Sequence, residues 1–411
     1  MNPDQITLAT IVIAILTYTG IAFGRIPKFR TNRTTISLIG VGLLVLFKSV
    51  MIDDFKNFID MDTIILLFAM MIINANLRLA GFFELAAQQI IKFAHSPKVL
   101  LSLVIFLSGF LSAIFLNDTI CLILTPFIID LTKSLNRNPL PYLIAIATAA
   151  NIGSTATLTG NPQNMIIGIA SEISYVDFFL NLAPIAVLGL TVVFFVLILL
   201  YPEEFKQKSF DGIVNLKAKV YKPLLWKGLL IVSGLLIAFL FGVPVSSAAL
   251  IASAVLLFTR RLSPNKVFAE FDWSLLVFFS SLFIITGAIN KTGLIQALFL
   301  NWNLGDKLNP TNLTISSAIL SNLVSNVPAV LLMKQFISQL TNPTPAWLTL
   351  ASATTLAGNF TLLGSVANLI VAELARNRKI TLSFWEYSRA GIIIAILTLL
   401  IQWSWITIFI W

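Results

Sequence analysis

Between two apolar runs the chain reads Ala150-Asn151-Ile152-Gly153-Ser154-Thr155-Ala156-Thr157-Leu158-Thr159-Gly160-Asn161-Pro162-Gln163-Asn164. That stretch holds three Asn, one Gln, four Ser or Thr, two Gly and one Pro. A second stretch, from Leu356 to Asn368, has a similar character through Gly358, Asn359, Thr361, Gly364, Ser365 and Asn368. Two shorter polar steps, Asn117-Asp118-Thr119 and Ser325-Asn326, divide long apolar runs. Amides, hydroxyls and helix-breaking residues are weak acids, bases and nucleophiles, but they coordinate ions and hydrogen-bond small polar solutes. Buried without partners they are costly. We therefore take Asn117, Asp118, Thr119, Asn151, Gly153, Ser154, Thr155, Gly160, Asn161 and Asn164 as candidate binding residues, together with Ser325, Asn326 and the six residues of the second stretch.

Asp118 is the one carboxylate that falls deep in an apolar segment, and such residues are functional by default. The competing reading is a helix cap, because Asp at an N-cap accepts backbone amides. Cys121 follows on the same arm; a single thiol is a poor site for a soft metal, so it is expected to pack. His95 beside Ser96-Pro97 reads as a surface loop residue, and Glu84, Asn74 and Asn76 read as interfacial. With one His and one Cys the chain offers neither a His-Glu-x-x-His site nor a disulfide, and it has no phosphate-binding Gly-x-x-x-x-Gly-Lys-Ser/Thr loop. No enzyme, resident metal or cofactor is expected.

The elements that must position these residues are set by composition. With 57% hydrophobic and 11% charged residues and a mean hydropathy of +0.92, the chain reads as an all-α polytopic membrane protein. The net charge of +9 is carried by short loops between apolar spans, which sets orientation and argues against nucleic acid. A span needs about twenty apolar residues, and such segments occur at 6–24, 34–51, 62–80, 142–171, 178–201, 224–241, 243–259, 273–290, 346–372 and 390–410. The first lacks a basic lead and a small-residue cleavage site, so it is expected to be retained. Trp226, Trp273, Trp347, Trp403 and Trp411 fall near span ends and read as interfacial anchors. The loop with Arg25, Lys28, Arg30 and Arg33 has no acid and is expected in the cytoplasm, with both termini outside. Lys133 and Arg137 stay on the cytoplasmic side only if 98–131 dips in and returns as a hairpin; 311–340 is its outward-opening counterpart.

Gly160 to Asn164 then aligns with Gly364 to Asn368, Thr157-Leu158 with Thr361-Leu362 at the same offset, and Asn117 with Asn326. Five spans and a hairpin occur twice, and an odd number of spans inverts the second copy. The expected organisation is a first repeat at 1–201, a cytoplasmic linker at 202–223 and a second repeat at 224–411. Non-helical backbone at membrane depth belongs where protein or a water-filled cavity satisfies it, so the breaks are expected to line a site. A broken helix exposes carbonyls for a cation and amides for an anion. No Lys or Arg is near either break in sequence, so the amides are expected to hold the anion unaided.

Phe115-Leu116-Asn117-Asp118-Thr119 with Leu124-Thr125-Pro126, Ala150 to Ser154, Gly160 to Asn164, Ser321 to Ala329 and Leu356 to Ser365 resemble the ion transporter superfamily. The likeness is to its arsenite permease and P-protein branch, related to dicarboxylate and citrate carriers. The resemblance implies a scaffold plus a mobile transport domain, a homodimer as in the carboxylate carriers, and transient sodium or substrate roles for Asn117 and Asn326. The tips here lack the Ser-Asn-Thr of the dicarboxylate carriers. The expected function is secondary active transport of a small anion or oxyanion-like solute of the arsenite or inorganic-anion class. A proton or sodium gradient would drive it across the cell (inner) membrane, and a sodium/proton antiporter or di/tricarboxylate carrier is the alternative.

Overall fold

In the computed structural model, which describes residues 3–23, 29–206, 219–294, 297 and 309–411, every regular element among the described residues is helical. The first half runs α1 (Pro3–Phe23), α2 (Arg33–Leu46), α3 (Met61–Leu79), α4 (Phe82–Ile91), α5 (Pro97–Ile114), α6 (Asn117–Ser134), α7 (Pro139–Ser154), α8 (Pro162–Ser171) and α9 (Tyr175–Leu200). The second runs α10 (Lys222–Leu240), α11 (Val245–Leu257), α12 (Trp273–Lys291), α13 (Pro310–Val324), α14 (Asn326–Ile337), α15 (Thr344–Ala357), α16 (Val366–Asn377) and α17 (Phe384–Phe409). Seven of these, α1, α3, α5, α9, α10, α12 and α17, are long and apolar enough to cross a membrane alone. The chain is a polytopic membrane protein. Arg25, Lys28 and most of the expected linker lie outside the described residues.

Local chemistry accounts for most helix starts. Asn32, Asp60, Ser96, Asn138, Asn161, Ser174, Asp272, Asn309 and Ser383 each accept a backbone amide in the following turn, which satisfies one of the donors a helix start leaves free. Proline then occupies the first turn of α5, α7, α8 and α13, where its missing N–H costs nothing. Glu84, read as interfacial, lies on the ten-residue helix α4.

The helices sort into two groups. An outer group pairs α1 with α2, α10 with α11, α2 with α12 and α3 with α11. The core group pairs α5 with α7 and α13 with α15, sets α6 against α16 and α14 against α8, and joins α9 to α17. Each pairing has a partner when the halves are exchanged. The side-chain bonds follow: Thr34 Oγ1 donates to the Ser274 carbonyl at 3.1 Å, and Ser246 Oγ to Asp62 Oδ1 at 2.9 Å. At one end of the bundle Lys291 meets Asp54 at 2.9 Å and Lys334 meets Asp60 at 3.7 Å. The Met51 N–H and Lys291 hold the Asp54 carboxyl below the usual carboxylate range. At the other end Arg78 meets Glu270 at 2.7 Å.

Residues 97–134 form two helices, α5 and α6, separated by a break at Phe115-Leu116. The Tyr142 hydroxyl, in the second turn of α7, reaches the Pro97 carbonyl at the start of α5, 3.5 Å away. Helices α5 and α7 thus start together, and α6 brings the chain back between them.

Candidate functional site

Helix α7 ends at Ser154 and α8 begins at Pro162, with turns between. Asn161 caps α8, its Oδ1 accepting the Asn164 N–H at 2.9 Å. The Asn164 side chain then closes the break, donating to the carbonyls of Ser154 at 3.0 Å and Thr157 at 2.9 Å, ten and seven residues upstream. In the second break Asn368 donates to the carbonyls of Gly358 at 2.9 Å and Thr361 at 3.1 Å, again ten and seven residues upstream. Glycine serves the same end twice. A Cβ at Gly160 would sit 2.5 Å from the Ser154 carbonyl oxygen, and one at Gly364 would sit 2.7 Å from that of Gly358.

Asn151 joins the two breaks. Its Nδ2 donates to Asn359 Oδ1 at 2.9 Å and Asn368 Oδ1 at 3.1 Å. Its Oδ1 accepts from Asn117 Nδ2 at 3.0 Å and Ser365 Oγ at 3.1 Å. Asn151, Ser154, Thr155, Asn161, Asn164, Asn359 and Asn368 are all fully buried. They form the frame behind the site. Gly153 is different: a Cβ there would lie 2.1 Å from the Gly109 carbonyl oxygen, so its role is the close approach of α5 and α7.

Each hairpin tip is tied to a break. The Asn117 N–H donates to the Gly160 carbonyl at 3.0 Å. Ser321 Oγ donates to Asn326 Oδ1 at 2.6 Å, and Asn322 Nδ2 to the Ala357 carbonyl at 3.0 Å. Ser325 turns the second tip with φ +80° and ψ 160°, a region nearly confined to glycine that costs a side chain about 1–3 kcal/mol and clusters at functional sites. Helices α6, α14 and α16 start without a side-chain cap on their amides, unlike most of the others. Uncapped starts are anion-binding ends.

Asn117, Asp118, Ser325, Asn326 and Ser365 line a cavity of about 670 Å³. Polar residues not taken as candidates from the sequence join them, among them Arg33, Gln163, Asp272 and Ser274. Arg33 corrects the expectation that no cation stands near the breaks, since its Nη1 lies 3.5 Å from Ser325 Oγ at the second tip. It is the first residue of α2, where the helix dipole disfavours a cation, and this is the one local sign that it is placed for another purpose. Asp118 caps nothing. The α6 N-cap position is Leu116, and the Asp118 carboxylate has no hydrogen bond or ion pair among the described residues, which removes the bland reading. Asn117 Oδ1 is likewise buried without a partner.

Two candidates fall elsewhere. Thr361 lines an apolar groove between α13 and α17 and not this cavity, and Thr119 lines a smaller neighbouring chamber. Asn74, read as interfacial, is only 3% exposed and lines that chamber too. Cys121 is buried, as expected of a packing residue.

The chain is similar to known proteins over most of its length. The silicon efflux transporter LSI3 of Oryza sativa subsp. japonica is 31% identical, covering 90% of this chain and 91% of its own. The putative transporter arsB of Dictyostelium discoideum is 25% identical over 90% of this chain and 86% of its own. Among solved structures, the Alcanivorax borkumensis YdaH transporter matches with a TM-score of 0.60 at 15% identity, covering 97% of this chain and 96% of that one. Neisseria gonorrhoeae MtrF matches with 0.63 at 12% identity, covering 98% and 94%. At these identities the structures show a shared fold. The family model described as citrate transporter (CitMHS) matches residues 15–353, and with that match the chain belongs to the citrate transporter family.

Proposed function

We propose that the chain is a secondary active transporter of a small anion or oxyanion-like solute, driven by a proton or sodium gradient. The observation that carries this reading is the composition of one cavity. Arg33 and the uncapped starts of α14 and α16 offer positive potential to an anion, while Asp118, Asp272 and Asn117 Oδ1 offer oxygen to a cation. The solute then sits beside groups that attract a coupling cation, and one charge moved per cycle supplies about 2.3 kcal/mol per 100 mV. The LSI3 and arsB relatives support the inorganic solute class.

On this reading 1–201 and 224–411 are inverted repeats with 202–223 as a cytoplasmic linker. Residues 98–131 and 311–340 are re-entrant hairpins, and both termini lie outside the cell membrane. A homodimer in the bilayer is part of the same proposal. The cavity then opens to the cytoplasm, where Arg33, Asp272 and Ser274 begin α2 and α12, and the Lys334–Asp60 and Lys291–Asp54 pairs lie on the closed outer side.

The test is counterflow in proteoliposomes with arsenite, antimonite, sulfate, silicate, succinate and citrate. Saturable exchange of one of the four inorganic solutes is expected. Exchange of succinate or citrate alone would make the chain a carboxylate carrier. The two unpaired carboxylates in the cavity favour one further reading, a sodium/proton antiporter. Collapse of a vesicle proton gradient by sodium, with no solute exchanged, would establish that reading instead.

A further inference from the structure

Beside the solute cavity lies a second chamber of about 330 Å³. The two share a wall, because Asp118, Pro162, Asp272, Leu275 and Val366 face both. The polar lining that belongs to the smaller chamber alone is Asn74, Arg78, Thr119 and Glu270. Its charge is acidic. Arg78 is held by Glu270 at 2.7 Å, with the two side chains 37% and 27% exposed, whereas Asp118 and Asp272 have no ion-pair partner among the described residues. Such a chamber repels an anion.

Asn74 supplies the independent observation. It is 3% exposed, and neither Nδ2 nor Oδ1 has a hydrogen-bond partner. Two residues further along α3, Asn76 at least gives its Nδ2 to the Ile72 carbonyl at 2.9 Å. An amide wholly without partners costs roughly 1–3 kcal/mol by protein mutational measures, so a packing role alone leaves it unexplained. A small chamber lined by Asp118, Asp272, Glu270, Asn74 and Thr119 carries the oxygen-bearing residue types that suit a hard cation.

We propose that this chamber holds the coupling cation, a sodium ion or a hydronium, on a route separate from that of the solute, with Asn74 and Asp118 as its ligands. It rests on reading the chain as a gradient-driven carrier. The cation enters past the Arg78–Glu270 pair, meets Asn74 and Thr119, and comes to rest against Asp118, the one ligand that also faces the solute. Coupling is then a matter of one shared wall. The charged groups that act on the site are Asp118, Asp272, Glu270 and Arg78, with Arg33 across the partition.

The test is cation binding to the purified full chain with no solute present, so failure to identify a solute leaves it unaffected. Sodium chloride is exchanged for choline chloride at constant ionic strength across a range of pH, and the apparent melting temperature is read. The wild type should be stabilised by sodium if sodium is the cation, or by acidification independently of sodium if the proton is. Asn74→Leu should raise the half-saturating sodium at least about ten-fold, or lower the proton midpoint by about one pH unit, either being the equivalent of a tenfold affinity change. Asn74→Asp, which restores an oxygen ligand, should recover the response, as no merely packed residue would. If Asn74→Leu does not purify, Asn74→Ala is titrated in its place. A wild-type response in Asn74→Leu or Asn74→Ala, no recovery in Asn74→Asp, or no response of the wild type to either cation would overturn the proposal.

Discussion

Replacing Asn151 with Ala removes four hydrogen bonds at once, two donated and two accepted. Interhelical side-chain bonds in membrane proteins average about 0.6 kcal/mol each, which gives about 2.4 kcal/mol for the set. The orphaned partners differ. Asn117 and Ser365 line the cavity and can turn to water, whereas Asn359 and Asn368 are fully buried. A stranded buried polar group costs about 1–3 kcal/mol, so the two buried acceptors together cost about 2–6 kcal/mol. If that energy holds the two breaks in transport geometry, kcat/KM should fall roughly 30- to 20,000-fold, at 1.4 kcal/mol per decade. The assay is counterflow of whichever panel solute saturates, with the amount of inserted protein measured in the same vesicles. Asn151→Asp sharpens it: the carboxylate still accepts from Asn117 and Ser365 but faces the amide oxygens of Asn359 and Asn368. Its loss should match that of the alanine variant at neutral pH and shrink on acidification, when the protonated carboxyl regains a donor. Counterflow within about three-fold of wild type in Asn151→Ala, less than 1 kcal/mol, would refute the reasoning.

Asp118→Asn should reduce gradient-driven accumulation at least about ten-fold more than it reduces counterflow; equal losses would show that the carboxylate has no part in coupling. Arg33→Gln should raise the KM of an anionic solute while leaving that of an uncharged one little changed, which a comparison of sulfate with silicate checks. Gly153→Ala places a methyl against the Gly109 carbonyl and should cost about 1–3 kcal/mol by overpacking, visible as a lower melting temperature in detergent; an unchanged value would contradict the close helix contact. In a Cys121→Ser background, single cysteines at Lys28 and Arg137 should react with an impermeant thiol reagent only from the cytoplasm, and those at Asp53 and Asp177 only from outside. Opposite-side labelling of Lys28 and Arg137 would mean that the first hairpin crosses.

The breaks were legible in the sequence because their causes are local. Glycine, proline and asparagine end a helix wherever they stand, and the spacing that aligns Asn164 with Asn368 reappears as two identical patterns of backbone closure. What stands opposite the breaks was not legible. Arg33 and Ser325 are 292 positions apart, and nothing near Arg33 distinguishes it from the other cations of its loop except its place on the first turn of α2. Asn74 looked interfacial because it sits near a predicted span end, yet α11 packs on α3 and the side chain is buried. Sequence position gives distance along a helix axis, but burial depends on which neighbours arrive from the other half.

The bonds made by Asn151 cross between the halves of the chain, but they stay inside the core group. Asn151, Asn359 and Asn368 belong to α7 and to the second break, and both sit among helices that pack on one another. If exposure of the cavity to the two sides of the membrane came from one half rocking against the other, these buried bonds would have to break in every cycle. Sliding of the core past the outer helices leaves them intact. The surface to be lubricated is then the seam where α8 passes α3 and α14 passes α12, and ion pairs such as Lys334–Asp60 become latches along it. A chain assembled from two halves would in this way move as two bodies whose boundary follows packing, with a portion of each half on either side.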